Sequence, residues 1–378
     1  DHVPDADLAV VRRLRENGAA ILGKTTTPEF GWKCPTDSPL LGITRNPWSL
    51  DRTPGGSTGG SAVAVASGMG PVGVGSDGGG SIRQPASFCG ILGFKPSFGR
   101  IPCAPPSGAI DVFNTIGLVA RTTADVTVVL DVVAGADEED WYSLPSPDVR
   151  YTGELALGIA GARVAWTPDF GYAAVEPEVA AITERAAERF QEMGCNVVEA
   201  HPNWEDPAEW FEDLCMRMMA ASLREHRDRL GDRMDPDLAT AIEDSRALSI
   251  DALVSAGKRR IEFQVVAAEF FDSFDLLLTP TMAVEPFEVG LKQPRSIAGR
   301  TVHWMQWTPF TYPINIIGSP AASVPAGWTR RGLPVGLQIV GGRRQDSLVL
   351  RACQSFETLH PWQSRWPESQ SSEDRMGG

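Results

Sequence analysis

Two glycine clusters that each contain serine lie close together near the start of the chain, GGSTGGS (55–61) and DGGGSIRQP (77–85). Glycine lacks a Cβ atom, so its backbone adopts conformations closed to other residues and can approach a ligand closely. An acyl-transfer enzyme needs this geometry, because backbone N–H groups must hold the oxyanion that develops during the reaction. A pair of tight turns packed on a helix and a strand would use glycine in the same way, so both interpretations stand here.

The second cluster places three glycines, Gly78, Gly79 and Gly80, directly before Ser81. This order would put several N–H donors beside a hydroxyl nucleophile. A serine hydroxyl attacks poorly unless a base accepts its proton, and histidine is the usual base. All 5 histidines lie outside the glycine-rich segment. His303 is the candidate for a Ser–His arrangement by position alone, although a histidine that lines a pocket or faces solvent is the more common case.

Charge and cysteine content exclude several classes of protein. The 378-residue chain has a formal net charge of −14, which opposes binding to nucleic acid because such proteins present basic surfaces. The 6 cysteines form no C-x-x-C pair and have no flanking histidines, so neither a zinc site nor a disulfide framework is indicated. No apolar run approaches the ~20 residues that span a bilayer, and no signal peptide is recognisable. We therefore expect a cytoplasmic protein without a metal site or a membrane partner.

Strand and helix patterns alternate along the chain and predict an α/β fold. The segment RVAWT (163–167) reads as a strand, residues 176–194 as a helix with Pro177 in its first turn, and NVVEA (196–200) as a second strand. A strand–helix–strand unit of this kind implies parallel pairing of its two strands.

The later apolar runs FDLLLTPT (274–281) and LPVGLQIVG (333–341) predict two further buried strands. We therefore expect one large α/β domain over residues 1–367, with a central mixed, mostly parallel twisted sheet covered by helices on both faces. The polar tail, residues 368–378, is predicted to be disordered.

One phosphate-binding pattern, GAAILGKT (18–25), is best explained as accidental. The pattern has meaning only between a strand and a helix, where loop amides and the helix N-terminus surround a phosphate. Here an amphipathic helix over 5–17 precedes the first glycine, and AAIL (19–22) reads as a short buried strand. No helical pattern follows, so we expect no nucleotide site.

The long segment GGSTGGSAVAVASG, followed by GSDGGGSIRQPASFCGILGFKPSFGR, resembles the amidase signature family. Further similar segments are ILGKTTTPEF (21–30), ITRNPWSLDRTPGGS (43–57), FDLLLTPT (274–281) and TYPINIIGSPAASVPAG (311–327). The resemblance spans nearly all of the chain and is weakest between residues 140 and 270. It implies the amidase signature fold and hydrolysis of a carboxylic amide through an acyl-enzyme, with no metal and no organic cofactor.

The resemblance also implies a catalytic triad of a serine, a second serine preceded by a cis peptide bond, and a lysine. Ser81 corresponds to the nucleophile and Ser57 to the serine that relays protons. The oxyanion donors would be the N–H groups of Gly78, Gly79, Gly80 and Ser81.

Two charged residues, Asp77 and Arg83, flank the implied nucleophile, and we expect them to pair and fix the loop. Thr58 stands where a second serine is more common, and Gly78 stands where a threonine or isoleucine is common. The hydroxyl of Thr58 should be tolerated, whereas Gly78 should loosen the loop that binds the oxyanion.

The family's lysine motif, of the type G-V-P-V-x-V-K-D, does not occur in this chain. In the family the lysine lies so far before the bridging serine that the position corresponding to it, counted back from Ser57, precedes Asp1. We therefore expect an N-terminally truncated copy that lacks its general base and is nearly inactive alone, while its full-length parent is active. Lys24, in a separate I-L-G-K-T motif, is the alternative base, although a structural role is the stronger expectation for it.

A small-molecule amide with an aryl or bulky acyl group is the expected substrate. Trp304, Trp307 and Phe310 of HWMQWTPF could line its pocket, although ordinary core aromatics explain them equally well, and the loop GWKCPTDSP (31–39) is a second candidate wall. Two other functions stay open: a glutaminase-type subunit of a tRNA-dependent amidotransferase, and a non-catalytic binding protein on the same fold. A homodimer is also left open.

Overall fold

The computed structural model describes residues 3–105 and 112–368. The tail predicted to be disordered lies outside these residues except for its first residue, Glu368.

The strands of the described chain form one small and one large sheet. In chain order they are β1 (Asp37–Ser38), β2 (Gly42–Ile43), β3 (Val72–Asp77), β4 (Leu92–Lys95), β5 (Thr115–Ala120), β6 (Arg163–Trp166), β7 (Asn196–Glu199), β8 (Leu276–Pro280), β9 (Ala321–Trp328) and β10 (Pro334–Gly341). Strands β1 and β2 pair with each other, and the large sheet has the spatial order β3-β5-β4-β9-β10-β8-β6-β7.

The large sheet is mixed, as expected, but the expectation that it is mostly parallel is wrong. Strand β6 pairs in parallel with β7 and with β8, and the other neighbouring strands of the described sheet are antiparallel. The parallel signal came from one strand–helix–strand unit, in which the helix Pro177–Glu192 joins β6 to β7, and that unit is confirmed. Elsewhere strands such as β9 and β10 are joined by a short turn, which requires antiparallel pairing.

The α-helices of the described chain are α1 (Ala9–Glu16), α2 (Gly59–Ala66), α3 (Arg83–Cys89), α4 (Thr123–Val133), α5 (Pro177–Glu192), α6 (Ala208–Phe211), α7 (Met218–Ser222), α8 (Arg224–Leu230), α9 (Pro236–Asp244), α10 (Ile250–Ser273), α11 (Tyr312–Ile317) and α12 (Asp346–Leu359). A π-helical segment, Glu212–Arg217, joins α6 to α7. No helix of the described residues is long and apolar enough to cross a membrane.

Helices cover both faces of the large sheet, as expected. Successive residues of a strand point to opposite faces, so Leu276 and Leu278 of β8 join one hydrophobic cluster and Leu277 joins another. The first cluster includes side chains from α4, α5 and α12, and the second includes side chains from α10 and α11. The second face carries the candidate site, because α11 and α3 lie on it.

The residues 19–22 do not form the buried strand that their apolar run suggested. They have no regular secondary structure, and Leu22 is 77% exposed. No described strand hydrogen-bonds to them, so nothing shields their side chains from solvent. The following Lys24 is also exposed and no helix starts there, which agrees with the rejection of a nucleotide site.

Candidate active site

Ser57 and Ser81 lie just before two helices that pack against each other. Ser57 precedes α2, and Ser81 lies in the turn between β3 and α3. The Thr58 N–H donates to the Ser81 carbonyl oxygen over 3.2 Å, so the two serine segments are in direct backbone contact. The peptide bond between Gly56 and Ser57 is cis, as the resemblance implies. Ser57 is 6% exposed and Ser81 is partly exposed.

The segment before the first serine is enclosed by residues 26–36. A Cβ atom on Gly56 would overlap the Cys34 carbonyl oxygen, so only glycine allows the two segments to lie this close. The Thr27 hydroxyl donates to the Ser57 carbonyl oxygen over 3.0 Å, and the Thr36 hydroxyl donates to the Gly55 carbonyl oxygen over 2.8 Å. These contacts hold Ser57 from the side opposite Ser81.

The expected Asp77–Arg83 pair forms, and it is fully buried. Arg83 Nε and Nη2 donate to the two carboxylate oxygens of Asp77 over 3.0 and 2.8 Å, a bidentate arrangement. Burial alone would raise the pKa of Asp77, but the Arg83 charge and its hydrogen bonds outweigh burial and lower the pKa to about 2. Arg83 also donates to Gln338 Oε1 and Asn315 Oδ1, so its guanidinium is satisfied from several elements.

The same carboxylate organises the glycine loop, which we define as residues 77–83. The Gly80 N–H donates to Asp77 Oδ1 over 2.7 Å, and the Ile82 N–H donates to Asp77 Oδ2 over 3.2 Å. The Gly80 N–H is therefore occupied, and it must be removed from the set of oxyanion donors that the resemblance implied. The N–H groups of Gly78, Gly79 and Ser81 donate to no described residue and remain available.

None of the lysines of the described chain donates a hydrogen bond to Ser57 or Ser81. Lys24 is exposed, and Lys33 pairs with Asp37 and Asp235. Lys95 is fully buried behind the loop and donates to the carbonyl oxygens of Pro96 and Ser319.

A cavity of about 480 Å³ is connected to the two serine segments through Cys34, and none of its lining residues belongs to those segments. Cys34 lines it, and the Cys34 thiol lies beside the Gln84 side chain of α3. Because the Cys34 carbonyl also touches Gly56, this wall of the cavity contacts both serine-bearing segments. The predicted second wall, the loop 31–39, is thus part of the cavity.

The predicted aromatic pocket residues divide into two groups. Trp304 and Trp307 line the cavity. Phe310 is not among the lining residues: its ring packs on Phe170, with ring centroids 5.3 Å apart. Its neighbours in sequence face the cavity because the chain turns there before α11, which places Phe310 on the core side.

His303 lies 3.5 Å from Glu212 Oε2 through its Nε2 atom and donates to neither serine. The Ser–His alternative is therefore not supported.

Several cavity residues could not be found from sequence. They come from the π-helical segment, α7 and α9, which are distant in sequence and carry no motif, and they are Glu212, Met216, Arg217, Met219, Ala220, Asp237, Leu238, Thr240, Ala241 and Asp244. The sequence indicates only that this region is helical and strongly charged.

Comparison with known proteins agrees with this geometry. The profile of the family described as Amidase matches residues 1–350. The chain belongs to this family. An acylamidase of Rhodococcus erythropolis is 36% identical over 375 residues, covering 97% of this chain and 78% of that protein. The crystal structure of a bacterial aryl acylamidase of the amidase signature family superimposes with a TM-score of 0.88 at 31% identity, covering 95% of this chain and 76% of that one.

A second kind of relative is a component of the glutamyl-tRNA(Gln) amidotransferase of Moorella thermoacetica, 34% identical and covering 97% of this chain and 79% of that protein. The amidase signature fold and membership of the amide hydrolases are therefore confirmed.

Proposed function

We propose that Ser81 attacks the carbonyl carbon of a carboxylic amide and that Ser57 relays the proton. The observation that carries this proposal is the direct contact between the two serine segments, with the partly exposed Ser81 beside three unoccupied N–H groups. A glycine turn with a purely structural role would not need N–H groups left without partners so near a hydroxyl.

The proposed reaction uses these groups in turn. As Ser81 Oγ bonds to the carbonyl carbon, its proton passes to Ser57, and the carbonyl oxygen becomes an oxyanion that the N–H groups of Gly78, Gly79 and Ser81 bind. Ser57 then delivers a proton to the amide nitrogen, the carbon–nitrogen bond breaks and the amine leaves. Water attacks the acyl-enzyme, returns a proton through Ser57 and releases the carboxylic acid.

We assign the base that takes the proton from Ser57 to a lysine, following the resemblance. Lys33 and Lys95 are each held by other partners, and Lys24 is exposed. None of the described lysines is therefore placed to act as this base. If residues 1–378 hydrolyse amides at a normal rate, Lys24 becomes the candidate base.

Labelling with a fluorophosphonate tests the nucleophile without knowledge of the substrate. The protein should be labelled at one serine, Ser81→Ala should abolish labelling, and Ser57→Ala should slow it. Ser76→Ala, in the adjacent strand β3, is the matched control and should label like the parent. Labelling that survives Ser81→Ala would overturn the proposal.

The cavity favours a substrate with an aryl or bulky group and without a free carboxylate. Apolar walls are provided by Trp32, Met216, Leu238, Trp304 and Trp307. Its cations are already paired: Lys33 with Asp235, Arg217 with Asp213 over 3.1 Å, and Lys292 with Asp237. A free carboxylate on the substrate would therefore find no unpaired cation among the described lining residues.

This charge pattern favours a stand-alone amidase over a glutaminase subunit, because glutamine carries a carboxylate and an ammonium group. Hydrolysis rates of 4-nitroacetanilide and of L-glutamine compare the two functions directly. We expect faster turnover of the anilide. Faster release of ammonia from glutamine would favour the amidotransferase function instead.

We also propose that the chain forms a homodimer. The outer face of α10 carries an unbroken apolar line: Ile250, Val254, Gly257, Ile261, Val265 and Ala268, with Ile250 79% and Ile261 63% exposed. In an antiparallel pair centred near residue 259, a bulky side chain meets a small one at two places in the interface. Ile261 meets Gly257 of the second copy, and Ile250 meets Ala268.

The flank of the same helix is complementary in charge. Exposed Lys258 would face Glu262 of the second copy, and the two-fold axis would repeat that pair. Light scattering of the parent should give a dimer, and Ile261→Glu should give a monomer. The exposed Leu157→Glu, far from α10 in sequence, is the matched control, and a parent that is monomeric would overturn this part of the proposal.

A further inference from the structure

The peptide group between Gly79 and Gly80 is fixed at both of its ends. Its carbonyl oxygen accepts from the Thr311 hydroxyl over 2.7 Å and from Gln84 Nε2 over 3.2 Å. Its N–H donates to Asp77 Oδ1 over 2.7 Å. Three side chains from three different elements therefore define the plane of this one peptide.

The orientation of the Gln84 amide follows from its partners. The Gly79 carbonyl oxygen can only accept, so the atom that faces it must be the Nε2 donor. Gln84 Nε2 also donates to Thr311 Oγ1 over 3.1 Å, while Gln84 Oε1 is buried and has no hydrogen-bond partner among the described residues. Gln84 therefore contacts the glycine loop through its Nε2 donor.

The packing around this peptide leaves no room for a side chain at Gly80. Gly80 has a φ of +126°, and a Cβ atom there would overlap both Thr311 Oγ1 and Gln84 Nε2. Both side chains are buried, so they contact the backbone of the loop without water between them.

We propose that Thr311 and Gln84 are positioning residues, which fix the Gly79–Gly80 peptide so that the N–H groups of Gly79 and Ser81 face the oxyanion. The inference rests on the proposed function. If this peptide rotated, its carbonyl oxygen would turn from its two donors toward the space where negative charge develops. Preorganised donors stabilise the transition state because they need no rearrangement during reaction, so a loosened peptide lowers kcat more than it raises KM.

A matched pair at Thr311 tests the hydroxyl. Thr311→Val keeps the shape and removes the donor, whereas Thr311→Ser keeps the donor. We expect Thr311→Val to lower kcat for 4-nitroacetanilide about 10-fold or more with little change in KM, and to slow fluorophosphonate labelling to a similar extent. Thr311→Ser should stay close to the parent. Equal rates for Thr311→Val and the parent would overturn the inference.

Gln84→Glu supplies a signature that packing alone would not produce. In this variant an ionised carboxylate places a negative oxygen beside the Gly79 carbonyl oxygen and repels it. A protonated carboxyl can instead donate a hydrogen bond to that oxygen, as the amide does. The ratio of the labelling rate of Gln84→Glu to that of the parent should therefore rise as the pH falls. A ratio that does not change with pH would contradict the assignment of Gln84.

The two failures are distinguishable. Labelling of the parent that survives Ser81→Ala refutes the proposed nucleophile, whereas labelling at Ser81 with an unaffected Thr311→Val and a flat Gln84→Glu ratio refutes only the positioning role. Melting temperatures of all variants separate a loss of rate from a loss of fold.

Discussion

The two walls of the candidate site are built on different physical principles. The glycine loop is held by a buried ion pair and by hydrogen bonds to buried side chains. The opposite side, which we call the helical wall and define as residues 208–248, supplies apolar side chains and partly exposed ion pairs such as Arg217–Asp213. Reacting groups need fixed geometry, whereas a substrate pocket only needs a suitable shape and polarity.

The helical wall is attached to the rest of the molecule at few polar points. Its Asp235 accepts from Lys33 Nζ over 2.7 Å, and the Asp235 N–H donates to Glu29 Oε2 over 2.7 Å. Met216 and Met219 line the cavity from this side, and methionine adapts to differently shaped partners. We therefore expect substitutions in the helical wall to alter substrate preference while the chemistry at Ser81 is preserved.

The largest expected effect comes from removing one member of the buried pair. Arg83→Met leaves the Asp77 carboxylate buried without its cation, and we expect a loss of about 3–5 kcal/mol in the free energy of unfolding, measured by urea denaturation. The matched variant in the helical wall, Arg217→Met, removes a half-exposed pair and should cost less than about 1 kcal/mol. If both variants lose a similar amount of the free energy of unfolding, the two walls do not differ in how strongly their ion pairs stabilise the fold.

A second prediction concerns Lys95, which lies in the same buried charge network. Burial and the nearby Arg83 charge lower the pKa of Lys95 to about 7, while the unfolded chain keeps the ordinary lysine pKa near ~10.4. Between these values the unfolded state binds a proton that the folded state lacks, so stability rises with pH, by on the order of 1 kcal/mol per pH unit. Relative to Lys95→Met, the parent should therefore gain stability from pH 7 to pH 10.

Chemical denaturation of both proteins at several pH values measures this difference. If the difference in the free energy of unfolding between the parent and Lys95→Met stays constant across that range, Lys95 keeps its proton in the folded protein. The glycine loop would then have a second buried cation behind it.

The contrast between the walls also explains what the sequence could predict. The residues 77–83 are contiguous and shaped by glycine and by one charge pair, so Ser81, Asp77 and Arg83 could be recognised directly. The occupied Gly80 N–H could not, because its partner is decided by the path of the loop around Asp77. Phe310 and Trp307 were indistinguishable in sequence, since both rings are buried in the same hydrophobic cluster and only the path of the chain before α11 brings Trp307 to the cavity.

The same limit applies to the fold. The strand–helix–strand unit β6-α5-β7 is local and was predicted, whereas the antiparallel order of the remaining strands depends on pairings between distant segments. The helical wall follows neither a motif nor a local rule, so its contribution to the cavity appears only when the chain is folded.

A third prediction tests the substrate side of the comparison. Trp304→Ala removes an aromatic cavity wall remote from the serines, and we expect KM for 4-nitroacetanilide to rise about 10-fold while kcat changes little, which corresponds to about 1.4 kcal/mol of binding. The rate of labelling by a small fluorophosphonate should remain that of the parent. A fall in kcat equal to the rise in KM would show that Trp304 acts on the reacting groups.

The smallest effect on turnover is expected from the attachment of the helical wall. Burial would lower the pKa of Lys33, but hydrogen bonds to Asp235 and Asp37 outweigh it and raise the pKa, so Lys33 stays charged and holds the two carboxylates together. Lys33→Met leaves the nearly buried Asp235 carboxylate without its cation, so we expect a loss of about 1–3 kcal/mol in the free energy of unfolding. It should also increase amide hydrogen exchange within residues 208–248 more than elsewhere. Lys292→Met, which removes the more exposed pair with Asp237, is the matched control and should change exchange less. Faster exchange in the glycine loop after Lys33→Met would instead show that the two walls are mechanically coupled, and substrate preference could then not be changed without affecting the chemistry.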